Sequence, residues 1–141
     1  MENKAQASLE YMIMLALSLG IFAAILYVVS SLVSTSSVQI GVDSAVRASN
    51  RMKEAADFIY VHGHPSKTQI NVYIPPNIEG VSIIDNKTIN LKVAMRESYT
   101  DIYSIAKGTV IGNLTPIQRE GYYVISFESN SDNTINATVI I

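Results

Sequence analysis

Gln6-Ala7-Ser8-Leu9-Glu10-Tyr11-Met12-Ile13-Met14-Leu15-Ala16-Leu17 leads into a run with no charged side chain from Tyr11 through Val42. Residues 12–33 are 22 positions, nearly all apolar and broken only by Ser18, Gly20, Ser30 and Ser31. As a helix rising about 1.5 Å per residue they span roughly 33 Å, enough to cross a hydrocarbon core of about 30 Å. A cleaved secretory signal has a shorter apolar core of about 7–15 residues behind a clearly basic start. Here the start offers only Lys4 against Glu2. Glu10 stands at the threshold of the run. An ionisable group placed beside lipid is costly, so it marks a functional position by default.

Working outward, residues 34–37 are all Ser or Thr, and the period then changes without a stop signal. Val38, Val42, Ala45, Ser49, Met52, Ala56 and Ile59 recur at alternating steps of four and three, a seam for packing along one helical face. Asp43/Arg47 and Lys53/Asp57 are spaced as i,i+4 ion pairs on the exposed side. Gly63 and Pro65 then form a helix stop: the glycine suits a left-handed cap and the proline cannot continue the helix. These signals predict one helix over residues 6–62, clearest from about Tyr11 to Tyr60. Its lower half is apolar all round and its upper half amphipathic.

From Lys67 the period becomes two. Ile70, Val72 and Ile74 alternate with polar positions, as do Ile89, Leu91, Val93 and Met95 with Asn90, Lys92, Ala94 and Arg96. Tyr123, Ile125 and Phe127, then Ile135, Ala137, Val139 and Ile141, repeat the pattern. Such alternation predicts antiparallel strands with one face buried. Residues 80–84 and 99–105 bring the expectation to six or seven strands. The turns between them fall at Pro75-Pro76-Asn77, Asp85-Asn86-Lys87, Lys107-Gly108, Gly112-Asn113 and residues 129–133. The fold class is α+β: a long hydrophobic then amphipathic helix followed by a small antiparallel β-sandwich-like head over residues 66–141. A head of this size makes a marginal core alone, so Met52, Phe58 and Ile59 are expected to pack onto its sheet.

Composition excludes several functions. The 141 residues carry a net charge of −2 and no Lys/Arg cluster, so nucleic-acid binding has no electrostatic footing. With no cysteine, neither a disulfide framework nor a thiolate metal site exists. His62-Gly63-His64 is the one histidine cluster, and its plain reading is an exposed turn rather than a metal site. Nothing resembles a nucleophile signature or a phosphate-cradling loop, so no enzyme and no cofactor is expected. Asn86-Lys87-Thr88, Asn113-Leu114-Thr115 and Asn136-Ala137-Thr138 are sequons, candidate N-glycosylation sites at Asn86, Asn113 and Asn136. Pro116 follows the second and hinders its modification.

The stretch from Lys4 through Met14 resembles the class III signal peptide of archaeal type IV pilin-like proteins. That family's pattern is Gln-x-Ser-x-Glu, followed after three residues usually by leucine. Gln6, Ser8 and Glu10 match; Met14 stands where leucine is commoner. The resemblance covers roughly residues 4–35. It implies residues 1–5 as a leader, cut between Ala5 and Gln6 on the cytoplasmic side by a membrane-embedded prepilin peptidase that reads Gln6, Ser8 and Glu10. It further implies extraction by a pilus assembly machine into a homo-oligomeric helical filament, with helices in the core and β heads outside, a lollipop-shaped subunit used for surface adhesion. The precursor would sit in the cell membrane and the mature chain on the cell surface. Glu10 would dock near the α-amino group of Gln6 that cleavage creates.

Three rival readings stand beside it. A single-pass anchor whose β head binds a ligand or glycan explains the span but gives Glu10 no part. An archaellum filament protein shares the core logic but differs at the cleavage site. An enzyme with a membrane tail has only His62 and His64 to stand on.

Overall fold

A computed structural model describes residues 2–95 and 98–140, with side chains from Gln6 onward. The placements expected for Arg96 and Ile141, and the side chain of Ala5, lie outside the described residues. One α-helix, α1 (Glu2–His62), is followed by seven strands: β1 (Lys67–Ile74), β2 (Ile78–Ile84), β3 (Thr88–Ala94), β4 (Tyr99–Ile105), β5 (Val110–Asn113), β6 (Gly121–Ser129) and β7 (Ile135–Val139). The helix thus starts before Gln6 and takes in residues 2–5. The chain divides into two compact units, one up to Ser37 and one from Val38.

In the first unit nearly every described side chain is exposed. The second unit contains the upper part of α1 together with all the strands. Ala45, Ala48, Ser49, Met52, Ala55, Ala56 and Ile59 of α1 are buried against the β-domain, the seam read from the sequence with Ala48 and Ala55 added beside it. Val38 and Val42 are only half-buried. Phe58 does not join the core and is 51% exposed. Its Cα direction lies about 100° around the helix from Ile59, so filling the seam with Ile59 turns Phe58 aside, where its ring sits 4.0 Å from that of His62. Of the two expected helical ion pairs, Lys53–Asp57 forms at 4.0 Å. Asp43 and Arg47 do not pair among the described residues; Arg47 lies instead along the cleft that borders β1. The helix ends as read: Gly63 has φ +68° and its N–H donates to the carbonyl of Ile59 at 3.0 Å, satisfying a terminal acceptor.

The strands form a four-stranded sheet in the order β1-β6-β7-β5 and a three-stranded sheet in the order β2-β3-β4. All pairings are antiparallel except β5 with β7, which run parallel. Gly112-Asn113, expected as a turn, is the end of β5. A parallel edge pair needs no tight hairpin, so it leaves no turn-flanked alternation to read. Asp85 and Asn86 both have positive φ, with Lys87 N–H donating to the Ile84 carbonyl at 3.2 Å; this is the primed turn that matches strand twist.

Sheet edges β5 and β2 border each other. Across the remaining gap, between β4 and β1, lies the upper part of α1. On the β4 side Ser104 Oγ donates to Asn50 Oδ1 at 3.3 Å and Lys107 N–H donates to Asp57 Oδ1 at 2.7 Å. On the β1 side Arg51 Nη1 donates to the Asn71 carbonyl at 3.4 Å. The upper part of α1 thus bonds to both sheets, and together they enclose one core. Phe127, Met52, Ile59, Ile74, Leu91 and Ile125 are among its fully buried side chains.

Candidate functional site: exposed apolar helix and sheet faces

The first unit holds the residues that the sequence marks for processing and assembly. Gln6, Ser8 and Glu10 are all exposed on α1, with one helical turn between Gln6 and Glu10. Glu10 has no ion-pair or hydrogen-bond partner among the described residues. Around it Leu9, Met12, Met14, Leu17, Phe22 and Val33 are each about 60–70% exposed. Fully covering a side chain of this type is worth about 1.5–3 kcal/mol. This helix is long and apolar enough to cross a membrane by length and composition. Its hydroxyls suit such a setting: Ser18 Oγ donates to the Met14 carbonyl at 2.8 Å and Thr35 Oγ1 to the Ser31 carbonyl at 3.1 Å. Back-bonding of this kind satisfies a polar group without an outside partner. Gly20 has open space around it, so a second helix can approach closely there.

The pairing registers sort the strand side chains into inner and outer faces. On the outer face of the four-stranded sheet, Lys67, Glu128, Asn136 and Ile111 form one cross-strand row. Gln69, Ser126, Thr138 and Asn113 form the next. Lys67 Nζ meets Glu128 Oε2 at 3.1 Å. Two sequon asparagines, Asn113 and Asn136, are thus diagonal neighbours on one face. Asn113 is exposed, but its Oδ1 accepts from Thr115 N–H at 2.9 Å and from the Thr115 hydroxyl. Asn136 is half-buried in the central strand β7. Asn86 is exposed at the β2–β3 hairpin tip, where the sequence places it.

The histidines go separate ways. His62 is exposed with Nδ1 2.8 Å from the Phe58 carbonyl, whereas His64 Nδ1 lies 2.9 Å from the carbonyl of Ser129. The turn is therefore tied to the end of β6 through His64. No group of three His, Asp or Glu among the described residues is placed to hold a metal ion.

Sequence reasoning missed two surface arrangements. On the three-stranded sheet, Lys92 pairs with Glu79 at 3.1 Å and sits 4.3 Å over the Tyr99 ring. The hydrogen bond to Glu79 holds the Lys92 ammonium above its usual pKa. At one end of the four-stranded sheet Tyr73 and Tyr122 pack at 5.0 Å between ring centroids, and Tyr73 donates to Glu120 Oε1 at 2.8 Å. Strict alternation on β1 and β6 carries the signal for this tyrosine pair, since Tyr73 and Tyr122 both fall on polar-face positions.

That hydrogen bond to Glu120 raises the Tyr73 pKa. Because folding raises it, the contribution to stability is complete below about pH 10 and fades as pH climbs through the folded value. Tyrosinate formation at Tyr73 during an alkaline titration is expected to come late. Glu120→Gln should bring that late step back toward the main transition, and an unchanged profile would dismiss the contact.

Comparison with protein-family models, with curated proteins and with solved structures finds no match to this chain.

Proposed function

We propose that this chain is a structural subunit, a pilin, of an archaeal type IV-like pilus, cut by prepilin peptidase between Ala5 and Gln6 and assembled through its N-terminal helix for surface adhesion. The observation that carries the reading is a coincidence of position. The Gln6/Ser8/Glu10 pattern falls at the foot of a helix whose apolar surface is left exposed among the described residues. Such a surface needs lipid or other copies of itself. A subunit that is first membrane-held and then bundled with its neighbours meets both needs in turn. The exposed Glu10 supports the same sequence of events: in a dry bundle a lone carboxylate is costly unless a cation meets it. The amine on Gln6 that can do so arises only on cleavage.

Filaments sheared from the cell surface, viewed by electron microscopy and digested for mass spectrometry, test this directly. The expected result is a thin filament whose protein yields an N-terminal peptide beginning at Gln6. Chains that keep Met1 and stay with the membrane fraction would instead favour an anchored surface protein.

A further inference from the structure

We propose that the cleft between α1 and the free edge of β1 receives an extended acidic peptide segment, added as a further strand to the four-stranded sheet. This site lies wholly within the second unit and does not depend on whether the chain forms filaments.

The strand edge supplies the first reason. β1 is an outer strand, paired among the described residues only with β6. The Asn71 carbonyl accepts from Arg51 on the helix side, so Asn71 faces away from β6. In an antiparallel ladder the backbone groups of alternate residues point the same way, which sets Gln69 and Tyr73 toward the cleft with Asn71. A row of such unpaired N–H and C=O groups is a template for another strand.

Shape supplies the second. Two adjoining cavities, of about 450 and 180 Å³, run between helix and strand and share Arg51. The larger reaches Phe58 and Thr68; the smaller reaches Ser44 and Tyr73. From residue 44 to residue 58 the helix rises about 21 Å, and residues 68–73 of the strand extend about 17 Å. The two walls match in length. The helical wall is shallow because Ala48 and Ala55 lie there, and the half-buried Ile70 offers apolar contact from the strand. The opposite seam of the helix, against β4, is already closed by Asn50 and Asp57. The β1 seam remains open.

Charge selects the occupant. Arg47 and Arg51 stand one turn apart along the cleft, and neither has a salt bridge among the described residues; Glu54 is the single acid lining it. Guanidinium groups bind carboxylates with paired, charge-assisted hydrogen bonds. The Arg51–Asn71 bond is long at 3.4 Å, near the limit of a useful contact. An incoming strand replaces it with its own N–H, and Arg51 swings onto an acidic side chain. Main-chain bonding then supplies affinity and the arginines supply selectivity, as in other strand-addition sites.

The test uses the full chain in detergent and a terminally blocked peptide of sequence Thr-Val-Glu-Val-Glu-Val-Thr. Fluorescence anisotropy measures affinity, and amide hydrogen exchange reads the backbone. The expected result is saturable binding that slows exchange at Gln69, Asn71 and Tyr73. Arg47→Ala with Arg51→Ala should weaken binding about tenfold or more. Asn71→Pro removes a donor that β6 does not use, so it should weaken binding equally while the amides of β6 stay protected. An analogue with lysine for each glutamate should bind at least about tenfold more weakly. Absence of binding, equal binding of the lysine analogue, or binding that leaves those three amides exchanging freely would each overturn the proposal.

Discussion

Glu10→Ala is expected to be cleaved at the Ala5–Gln6 bond nearly as well as the parent chain and yet to yield no ordered filament. Under the proposed function the two properties separate because they use Glu10 differently. The peptidase reads a short exposed stretch in which Gln6 and Ser8 remain. Assembly instead buries the new Gln6 amine among apolar helices, where an unpaired charge carries a penalty of several kcal/mol. Removing one partner of such a pair typically costs about 3–5 kcal/mol, which lowers subunit affinity more than about a hundredfold. The cost recurs at every subunit, so a filament cannot average it away. Mass spectrometry of the membrane fraction measures cleavage, and the pelletable fraction after shearing measures assembly. Glu10→Asp keeps the charge on a shorter arm and is expected to restore part of the assembly. Normal filaments from Glu10→Ala would sink the register role of this acid.

What could be read in the sequence follows from how locally each feature is encoded. The helix stop lies in three consecutive residues, 63–65, and Gly63 takes the left-handed conformation that its position asks for. The alternation of Val72/Ile74, Ile89/Leu91/Val93 and Ile125/Phe127 is short-range, and all of these side chains are buried. Features made by segments distant in sequence left no such trace. Phe58 looked like a core residue by type, but which side of α1 faces the sheet is fixed by Met52 and Ile59 together, and Phe58 falls outside that arc. The cleft is invisible for the same reason: Arg51 meets Asn71 twenty positions later, across a turn. The Gln6/Ser8/Glu10 pattern is legible because it occupies one helical turn. The apolar surface beside it is exposed among the described residues, so the pattern carries no tertiary partner to check it against.

The second large effect falls where the sequence misled. Gly112→Ala is expected to destabilise the β-domain by about 3 kcal/mol or more, a large share of the roughly 5–15 kcal/mol that holds a domain together. Gly112 has φ +130°, a conformation that side-chain-bearing residues rarely adopt. The conformational strain alone costs about 1–3 kcal/mol. Space is the harder limit, because a Cβ there would lie 2.0 Å from the carbonyl oxygen of Ala137. That atom is backbone, so no side chain can rotate away; β5 has to move off β7. Its retreat would disturb the Ile135 N–H bond to the Thr109 carbonyl and the Val110 N–H bond to Asn86, each 2.8 Å, and would uncover the fully buried Val110. Gly80→Ala is the matched control, since a Cβ at Gly80 meets nothing within 4 Å. There the loss of backbone freedom in the unfolded chain is expected to stabilise by about 0.4–1 kcal/mol. Thermal unfolding should separate the pair clearly, with Gly112→Ala melting about 10 °C or more below the parent and Gly80→Ala at or slightly above it. Exchange at the β5 and β7 amides should rise first in the Gly112 variant. A Gly112→Ala chain melting within about 2 °C of the parent would mean that β5 does not approach β7 as closely as this glycine allows.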